Sequence, residues 1–332
     1  MKIESNQITA ILITFALLIA IMPIMIIPAS AASDYATLQA LTSAPTGGNL
    51  VQLTQNLEGN TQLTIGRSLA LDLNGHSLTI DLPDVFGPPN ETTRNSNGIK
   101  INSGATLTII DSNPGANKLT VINNSIMSSV GNGAAINTTD GTLIIESGTI
   151  VATGSGDGAG VGGGRGGNGG NIIINGGTVT ATGFLFAAGM GGGIGGSGGN
   201  VIINGGFVTA TSTTIATVTP ETGAGIGAGS NIGLPPIPPN GGTLMMNGNA
   251  VVFTNTLTNM VFPLTSVTTD TTGVKNGVLF VGNAGAVYGN NVTLAVDLTI
   301  PAEYTSATIR AVIEFVQIAL VQYAPVKKII TI

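Results

Sequence analysis

The amino-acid sequence has no cysteine and no tryptophan in 332 residues, and only 8% of its residues are charged. Without disulfides, the stability of the fold must come from a large buried core. The net charge is −6 and no cluster of lysine or arginine is present, so we expect no nucleic-acid partner. An aromatic content of 4% argues against a platform of aromatic rings that stack on sugars, and the low charge argues against a disordered acidic tail.

An apolar segment occupies residues 8–27 and is followed by Ala29 and Ala31, small residues that suit a signal peptidase. We therefore predict a signal peptide over residues 1–31 and a secreted or cell-surface protein. The apolar segment is also long enough to span a bilayer. The chain would contact a membrane only if this segment were not cleaved.

A repeat with a period of 29 residues organises the middle of the chain. Residues 158–183 return as residues 187–211 in nearly the same sequence, and residues 142–153 align without a gap with residues 171–182. Each unit holds two runs typical of β-strands around a turn. Three such units in succession predict the coils of a solenoid, and the return of their glycine-rich stretches predicts folded turns rather than flexible spacers.

Alternate positions within the repeats separate inward from outward side chains. We predict that two columns point into the core: Ile150, Val179 and Val208, and Ala152, Ala181 and Ala210. The opposite parity holds an outward column: Thr153, Thr182 and Thr211. Asn175 and Asn204 precede Gly-Gly at the bend, where their amides are expected to form a ladder between coils.

The remainder of the chain extends the solenoid and closes its ends. Ser33 and Asp34 are expected to cap a short helix that runs through Leu41, within a predicted N-terminal cap, residues 32–48. Residues 49–301 are predicted to form the β-helix, with less regular coils before the repeats and a fourth regular coil after them. Residues 302–332 differ in pattern and are predicted to be an atypical tail or cap.

Three segments carry a resemblance to a known group of proteins: residues 71–78 (LDLNGHSL), the GGNIIINGGTVTAT repeats, and residues 285–301, where GAVYG leads into VTLAVDLTIP. The chain resembles microbial secreted or surface proteins that are described as adhesin-like or as carbohydrate-binding-domain-containing. The resemblance covers roughly residues 35–301. It implies an all-β fold, namely a right-handed, pectin-lyase-like parallel β-helix with glycine-rich turns, to which the sequence adds a short N-terminal capping helix. Because the role of this group is poorly defined, the resemblance transfers little about function.

Polysaccharide lyases and hydrolases share this fold, so catalysis must be judged from residues. A lyase needs a carboxylate cluster beside a basic residue, and a glycosidase needs two neighbouring carboxylates. The acidic residues of the repeats do not recur at the period, and Arg165 becomes Ile194 in the next coil. His76 lies in a predicted turn, and Asp157 lacks the acidic spacing of a calcium-binding glycine loop. We predict no enzymatic activity, no cofactor and no metal site.

The outward threonines admit two interpretations. Those of the last two repeats form a small regular array of the kind that binds ice: Thr180, Thr182, Thr209 and Thr211. Ice binding requires several unbroken rungs, whereas Val151 and Phe207 interrupt the neighbouring positions. Ordinary solvent-facing strand threonines are the favoured interpretation.

The side chains of the coils are used in stacking between coils. We therefore expect a ligand to be recognised by two irregular insertions, residues 84–97 and the proline-rich residues 219–240. The candidate contact residues there are Phe86, Arg94, Asn95, Asn231 and Asn240. We predict an exported, noncatalytic, adhesin-like protein that binds extracellular polysaccharide or other cell-surface macromolecules. The alternatives are a structural stalk or layer component without a specific ligand and, third, a polysaccharide-active enzyme.

Overall fold

The chain folds as a parallel β-helix with three parallel sheets and one short helix before the first full coil. The computed structural model describes residues 30–83, 97–124, 133–213, 222–230, 239–246, 250–255, 266–269 and 278–281. Neighbouring strands of each sheet come from successive coils and pair in parallel. The predicted all-β parallel β-helix is therefore confirmed.

The strands, numbered along the chain, form three sheets that are named A, B and C. Sheet A contains β1 (Ser30–Ala32), β2 (Leu50–Leu53), β5 (Leu69–Asp72), β8 (Thr106–Ile110), β11 (Thr142–Ile145), β14 (Asn171–Ile174), β17 (Asn200–Ile203), β20 (Thr243–Met246) and β22 (Ser266–Thr269). Sheet B contains β3 (Leu57–Gly59), β6 (Leu78–Leu82), β9 (Leu119–Asn123), β12 (Thr149–Thr153), β15 (Thr178–Phe184), β18 (Phe207–Thr213), β21 (Val251–Thr254) and β23 (Val278–Val281). Sheet C contains β4 (Leu63–Ile65), β7 (Ile99–Ile101), β10 (Ile136–Asn137), β13 (Val161–Gly162), β16 (Met190–Gly191) and β19 (Ile226–Gly227).

The core is a stack of apolar columns that run along the axis of the helix. Val179 pairs with Ile150 below it and Val208 above it, and all three side chains are fully buried. The alanines two positions later form the next buried column: Ala152, Ala181 and Ala210. Thr182, on the opposite parity, is half-buried at the surface. The predicted inward and outward faces of sheet B are therefore confirmed.

Each of the six coils from β2 to β19 contains three strands, whereas the sequence predicted two in each regular unit. The missed strands β13, β16 and β19 have two residues each and end in the buried glycines Gly162, Gly191 and Gly227, with φ angles of 144°, 141° and 140°. A Cβ on Gly162 would lie 1.8 Å from the carbonyl oxygen of Gly191. Backbone thus packs on backbone here, and a side-chain pattern of period two cannot reveal such strands.

The predicted capping helix, α1 (Tyr35–Ser43), covers the first coil. Asp34 is its N-cap residue, and Leu38 is fully buried against the core. The guanidinium of Arg67 donates a hydrogen bond of 2.7 Å to the carbonyl of Leu41 in the last turn. Arg67 of the first coil therefore holds the last turn of α1 in place.

The first strand of sheet A begins within the predicted signal segment, because Ser30 and Ala31 pair with β2. Cleavage after Ala31 would leave Ala32, the buried residue of β1, at the start of the mature chain. In the part of the chain that the structure describes, no helix is long and apolar enough to cross a membrane. Residues 1–29 and the predicted tail, residues 302–332, lie outside that part.

Candidate functional site

Two phenylalanines from different coils meet on the solvent-facing side of sheet B. The ring centroids of Phe207 in β18 and Phe253 in β21 are 5.3 Å apart, and the ring planes are inclined by 39°. The strand register pairs Phe207 with Val251 and Phe253 with Thr209, so the two rings are diagonal neighbours on one face. Both side chains are half-buried, so each keeps part of its surface open to solvent.

Threonines continue this face over the preceding coils. The strand register aligns them in three rows: Thr149 and Thr178 leading to Phe207; Val151, Thr180 and Thr209 leading to Phe253; and Thr153, Thr182 and Thr211. Together with Val251, these residues are named the Phe–Thr face. The face carries no charged side chain.

The Phe–Thr face offers two kinds of contact on a rigid support. Its hydroxyl groups donate and accept hydrogen bonds, and the aromatic pair supplies a large apolar surface. Because the strands belong to a packed sheet, the hydroxyl groups are fixed in rows about 4.8 Å apart. This arrangement fits a ligand with apolar ring faces and hydroxyl edges that extends along the axis of the helix.

The sequence did not predict the contact between the two phenylalanines. Asn200 pairs with Thr243, an offset of 43 residues, and the same offset would place Phe253 opposite the inward-facing Ala210. The turn before β21 holds one extra residue, so that Phe207 pairs with Val251 instead. A shift of one residue reverses the face to which a side chain points. Val252 and Thr254, on either side of Phe253, are buried, which places Phe253 on the outward face.

The contact residues predicted in the insertions are mostly not part of the described structure. Four lie outside the described residues: Phe86, Arg94, Asn95 and Asn231. Asn240 is exposed, and its backbone N–H donates a 3.0 Å hydrogen bond to the hydroxyl of Ser197 one coil earlier. Its side-chain oxygen accepts the N–H of Gly242 at 2.8 Å. Asn240 therefore fastens the end of its insertion to the stack.

Asp72 is a buried carboxylate at the corner between sheets A and B. Its Oδ2 accepts hydrogen bonds from the Ser112 hydroxyl at 2.7 Å and the Gln52 amide at 2.9 Å. Its Oδ1 accepts the backbone N–H groups of Asn74 at 2.9 Å and Ser112 at 3.0 Å. Burial alone would raise the pKa of Asp72, but these hydrogen bonds outweigh it and hold the pKa below its usual value. The carboxylate of Asp72 thus holds the backbone and side chains of this corner together.

Asp157 forms an ion pair with Arg165 in the glycine-rich corner, with 2.7 Å between Oδ2 and Nη1. Burial raises the pKa of Asp157, and the charge and hydrogen bond of Arg165 act against that rise. Ile194 occupies the position of Arg165 in the next coil. The ion pair is therefore not repeated along the stack.

The chain contains a single histidine. His76 lies in the predicted turn, where its backbone N–H donates to the carbonyl of Leu73 at 2.8 Å. Among the described residues, no group of three or more His, Cys, Asp or Glu side chains is placed to hold a metal ion.

The fold and this face define a parallel β-helix protein with an aromatic, hydroxyl-lined surface. A family model described as a beta helix repeat matches residues 172–199 and 201–230. The two matches begin 29 residues apart, which is the period of the regular coils, so the chain is similar to this repeat over two consecutive coils. No curated protein and no solved structure matches the chain.

Proposed function

We propose that the protein is an exported, noncatalytic, adhesin-like β-helix that binds a polysaccharide or another surface glycan on its Phe–Thr face. The observation that carries the proposal is the contact between Phe207 and Phe253, with ring centroids 5.3 Å apart on the solvent-facing side of sheet B. The match to the beta helix repeat supports the broader assignment to surface or carbohydrate-related proteins.

The chemistry of sugars matches the composition of this face. A pyranose ring has an apolar face of C–H groups and a rim of hydroxyl groups, so it can pack on an aromatic ring and hydrogen-bond to threonines at the same time. Rows of threonine hydroxyls about 4.8 Å apart would give successive sugars of an extended chain successive contacts. A polymer that lies along the axis of the helix would use the whole face.

The hydrogen bonds and the ion pair of two carboxylates support the noncatalytic part of the proposal. Asp72 accepts four hydrogen bonds, and Asp157 is paired with Arg165. Glycoside hydrolysis needs two carboxylates about 5 to 10 Å apart around an open site. The Phe–Thr face has no acidic side chain and would act by binding alone.

The test is a glycan-array screen with residues 32–332, followed by calorimetry on the best ligand. We expect Phe207→Ala and Phe253→Ala each to weaken binding about tenfold or more, because each removes a large apolar contact. Met245→Ala is the control, since Met245 is a 42% exposed apolar side chain on sheet A, outside the Phe–Thr face. Unchanged melting temperatures would show that the coils remain folded.

A second variant separates this face from the predicted contact loop. Replacement of residues 231–238 by a short Gly-Ser link keeps Asn240 and its bonds to the stack. If this variant loses binding while both phenylalanine variants bind like the parent, recognition lies in the insertion and the Phe–Thr face is not the site. If the parent binds no glycan in the screen, the proposal fails and a structural stalk becomes the better assignment.

A further inference from the structure

The outer face of sheet A carries an apolar stripe that the coils do not cover. The central outward residue of each strand pairs with its counterpart in the next coil, and together they form one row: Leu50, Ala70, Thr108, Ile144, Ile173, Ile202 and Met245. Six of these seven residues are apolar. Met245, at 42%, is the exposed large hydrophobic residue of the described part of the chain. This row is named the apolar stripe.

Polar but mostly uncharged side chains border the apolar stripe. On one side lie the residues two positions earlier in each strand: Thr106, Thr142, Asn171, Asn200 and Thr243. On the other side lie Glu146, Asn175 and Asn204, which follow their strands directly. The corresponding central row of sheet B is mainly threonine, so the apolar stripe is a feature of sheet A alone.

The outer faces of this β-helix are open to solvent, and the central row of sheet B is mainly threonine. An apolar row on sheet A therefore departs from the neighbouring surface. A contiguous apolar surface with a polar rim marks an interaction site on soluble proteins. The stripe has no aromatic side chain, which makes it less suited than the Phe–Thr face to hold a sugar.

We propose that the apolar stripe is a self-association surface and that its partner is a second copy of this chain. A flat stripe is complementary to itself, because a two-fold axis brings the same row of side chains together from both copies. Two such sheets pack face to face at about 10 Å with their side chains interdigitated. The carboxylates in the border rows are Glu146 and Asp72, and Asp72 is only 2% exposed, so two copies would meet without charged side chains at the centre of the stripe.

The size of the surface sets the expected strength. Seven rungs about 4.8 Å apart and strands of four residues at about 3.3 Å per residue give a footprint of roughly 400 Å² per copy. Allowing for the relief of the side chains, two copies would bury on the order of 1,000 Å² in total, which is the lower limit for a specific interface. The dimer should therefore be reversible and dependent on concentration.

Sedimentation equilibrium of residues 32–332 over a wide range of concentrations tests this proposal. We expect the parent to pass from monomer to dimer, and Ile173→Lys to weaken the dimer at least tenfold, because the lysine would be buried without a partner at the centre of the interface. Thr180→Lys is the matched control, since Thr180 is the outward residue of the adjacent sheet in the same coil. It should dimerise like the parent.

Ile173→Thr is a milder second variant, chosen because threonine suits an outward strand position. It should also weaken the dimer, with the melting temperature of the monomer unchanged. The proposal is overturned if the parent stays monomeric at all concentrations or if both Ile173 variants dimerise like the parent. It is also overturned if the parent is monomeric and the Ile173 variants melt at a lower temperature than the parent. A segment of the same chain would then cover the stripe. Phe207→Ala should dimerise like the parent even if it no longer binds a glycan. The two proposals can therefore fail independently of each other.

Discussion

The side-chain amide of Asn204 donates a hydrogen bond of 2.7 Å to the side-chain oxygen of Asn175, one coil earlier. The amide of Asn175 donates in turn to the carboxylate of Glu146 at 2.8 Å, so that three coils share one ladder. The two asparagines were predicted to bond to each other because each precedes Gly-Gly in the repeat. Glu146 ends the ladder with an acceptor that has no N–H of its own, and the donors therefore point in one direction.

Removal of the middle residue of the ladder should destabilise the regular coils modestly. Asn175→Ala deletes both side-chain hydrogen bonds at once, and we expect the free energy of unfolding to fall by about 2 kcal/mol. Denaturant unfolding measures this change. Thr178→Ala, at an exposed position of the next strand, is the control and should alter stability by less than about 0.5 kcal/mol. If both substitutions lower the free energy of unfolding equally, the hydrogen bonds of the ladder do not stabilise the coils.

The inward column of sheet B should not tolerate a charge. Val179→Asp places an unpaired carboxylate between Ile150 and Val208, where no water reaches it. We expect a loss of about 4 kcal/mol or more and the disappearance of a cooperative melt, since the contacts to both neighbouring coils are broken. Thr180→Lys, one residue away on the outward face, should melt like the parent. The opposite result for this pair would reverse the two faces of the strand.

The glycine-rich corner makes a sharper prediction, because two glycines with positive φ differ in the space around them. Gly162 has a φ of 144°, and a Cβ there would lie 1.8 Å from the carbonyl oxygen of Gly191. Gly162→Ala should cost more than about 3 kcal/mol, from backbone strain and from the collision with the next coil. Gly166 has a φ of 69°, and nothing lies within 4 Å of the position of its Cβ. Gly166→Ala should cost only about 1 kcal/mol, the strain of a left-handed residue.

Calorimetric melting of the two glycine variants, side by side with the parent, measures the difference. A small effect at both positions would mean that the coils can separate at this corner. A large effect at both would mean that strain, rather than the close approach of the coils, fixes these residues as glycine.

The sequence predicted the features of this fold that are repeated with an identical spacing. The 29-residue period aligned Val179 with Val208 and Asn175 with Asn204, and both alignments follow directly from stacking equal coils. The capping helix was also predictable, because the N-cap Asp34 and the apolar position of Leu38 are local signals. In each of these cases the identity and spacing of a few residues are enough to predict the contact.

Features that depend on small changes in register were not predictable in the same way. Strands β13, β16 and β19 of sheet C each end in a buried glycine, such as Gly191, and leave no alternation to detect. The contact between Phe207 and Phe253 depends on one extra residue in a turn, and only the paired strands reveal it. The apolar stripe was missed for a third reason: runs such as Ile172 to Ile174 are apolar at every position, so period two cannot tell which residue faces out.

The last prediction concerns acid stability and rests on Asp72, whose hydrogen bonds to Ser112, Gln52 and Asn74 hold its pKa below the usual value against the effect of burial. A lowered pKa in the folded state means that the carboxylate stabilises the fold above the pKa of the unfolded chain, and that this contribution is lost as the pH falls through the folded pKa.

Asp72→Asn replaces one acceptor oxygen by a donor amide that faces the donors of Ser112 and Gln52. We expect a loss of about 2 kcal/mol at pH 7, measured by denaturant unfolding. The difference from the parent should narrow below about pH 4, where the carboxyl group takes up its proton in the unfolded chain. It should narrow further as the pH falls through the lowered pKa of the folded state. Glu58→Gln changes an exposed carboxylate on β3 and controls for the loss of one negative charge. A difference between parent and Asp72→Asn that stays constant from pH 7 to pH 2 would show that the shape of the side chain, rather than its charge, holds this corner.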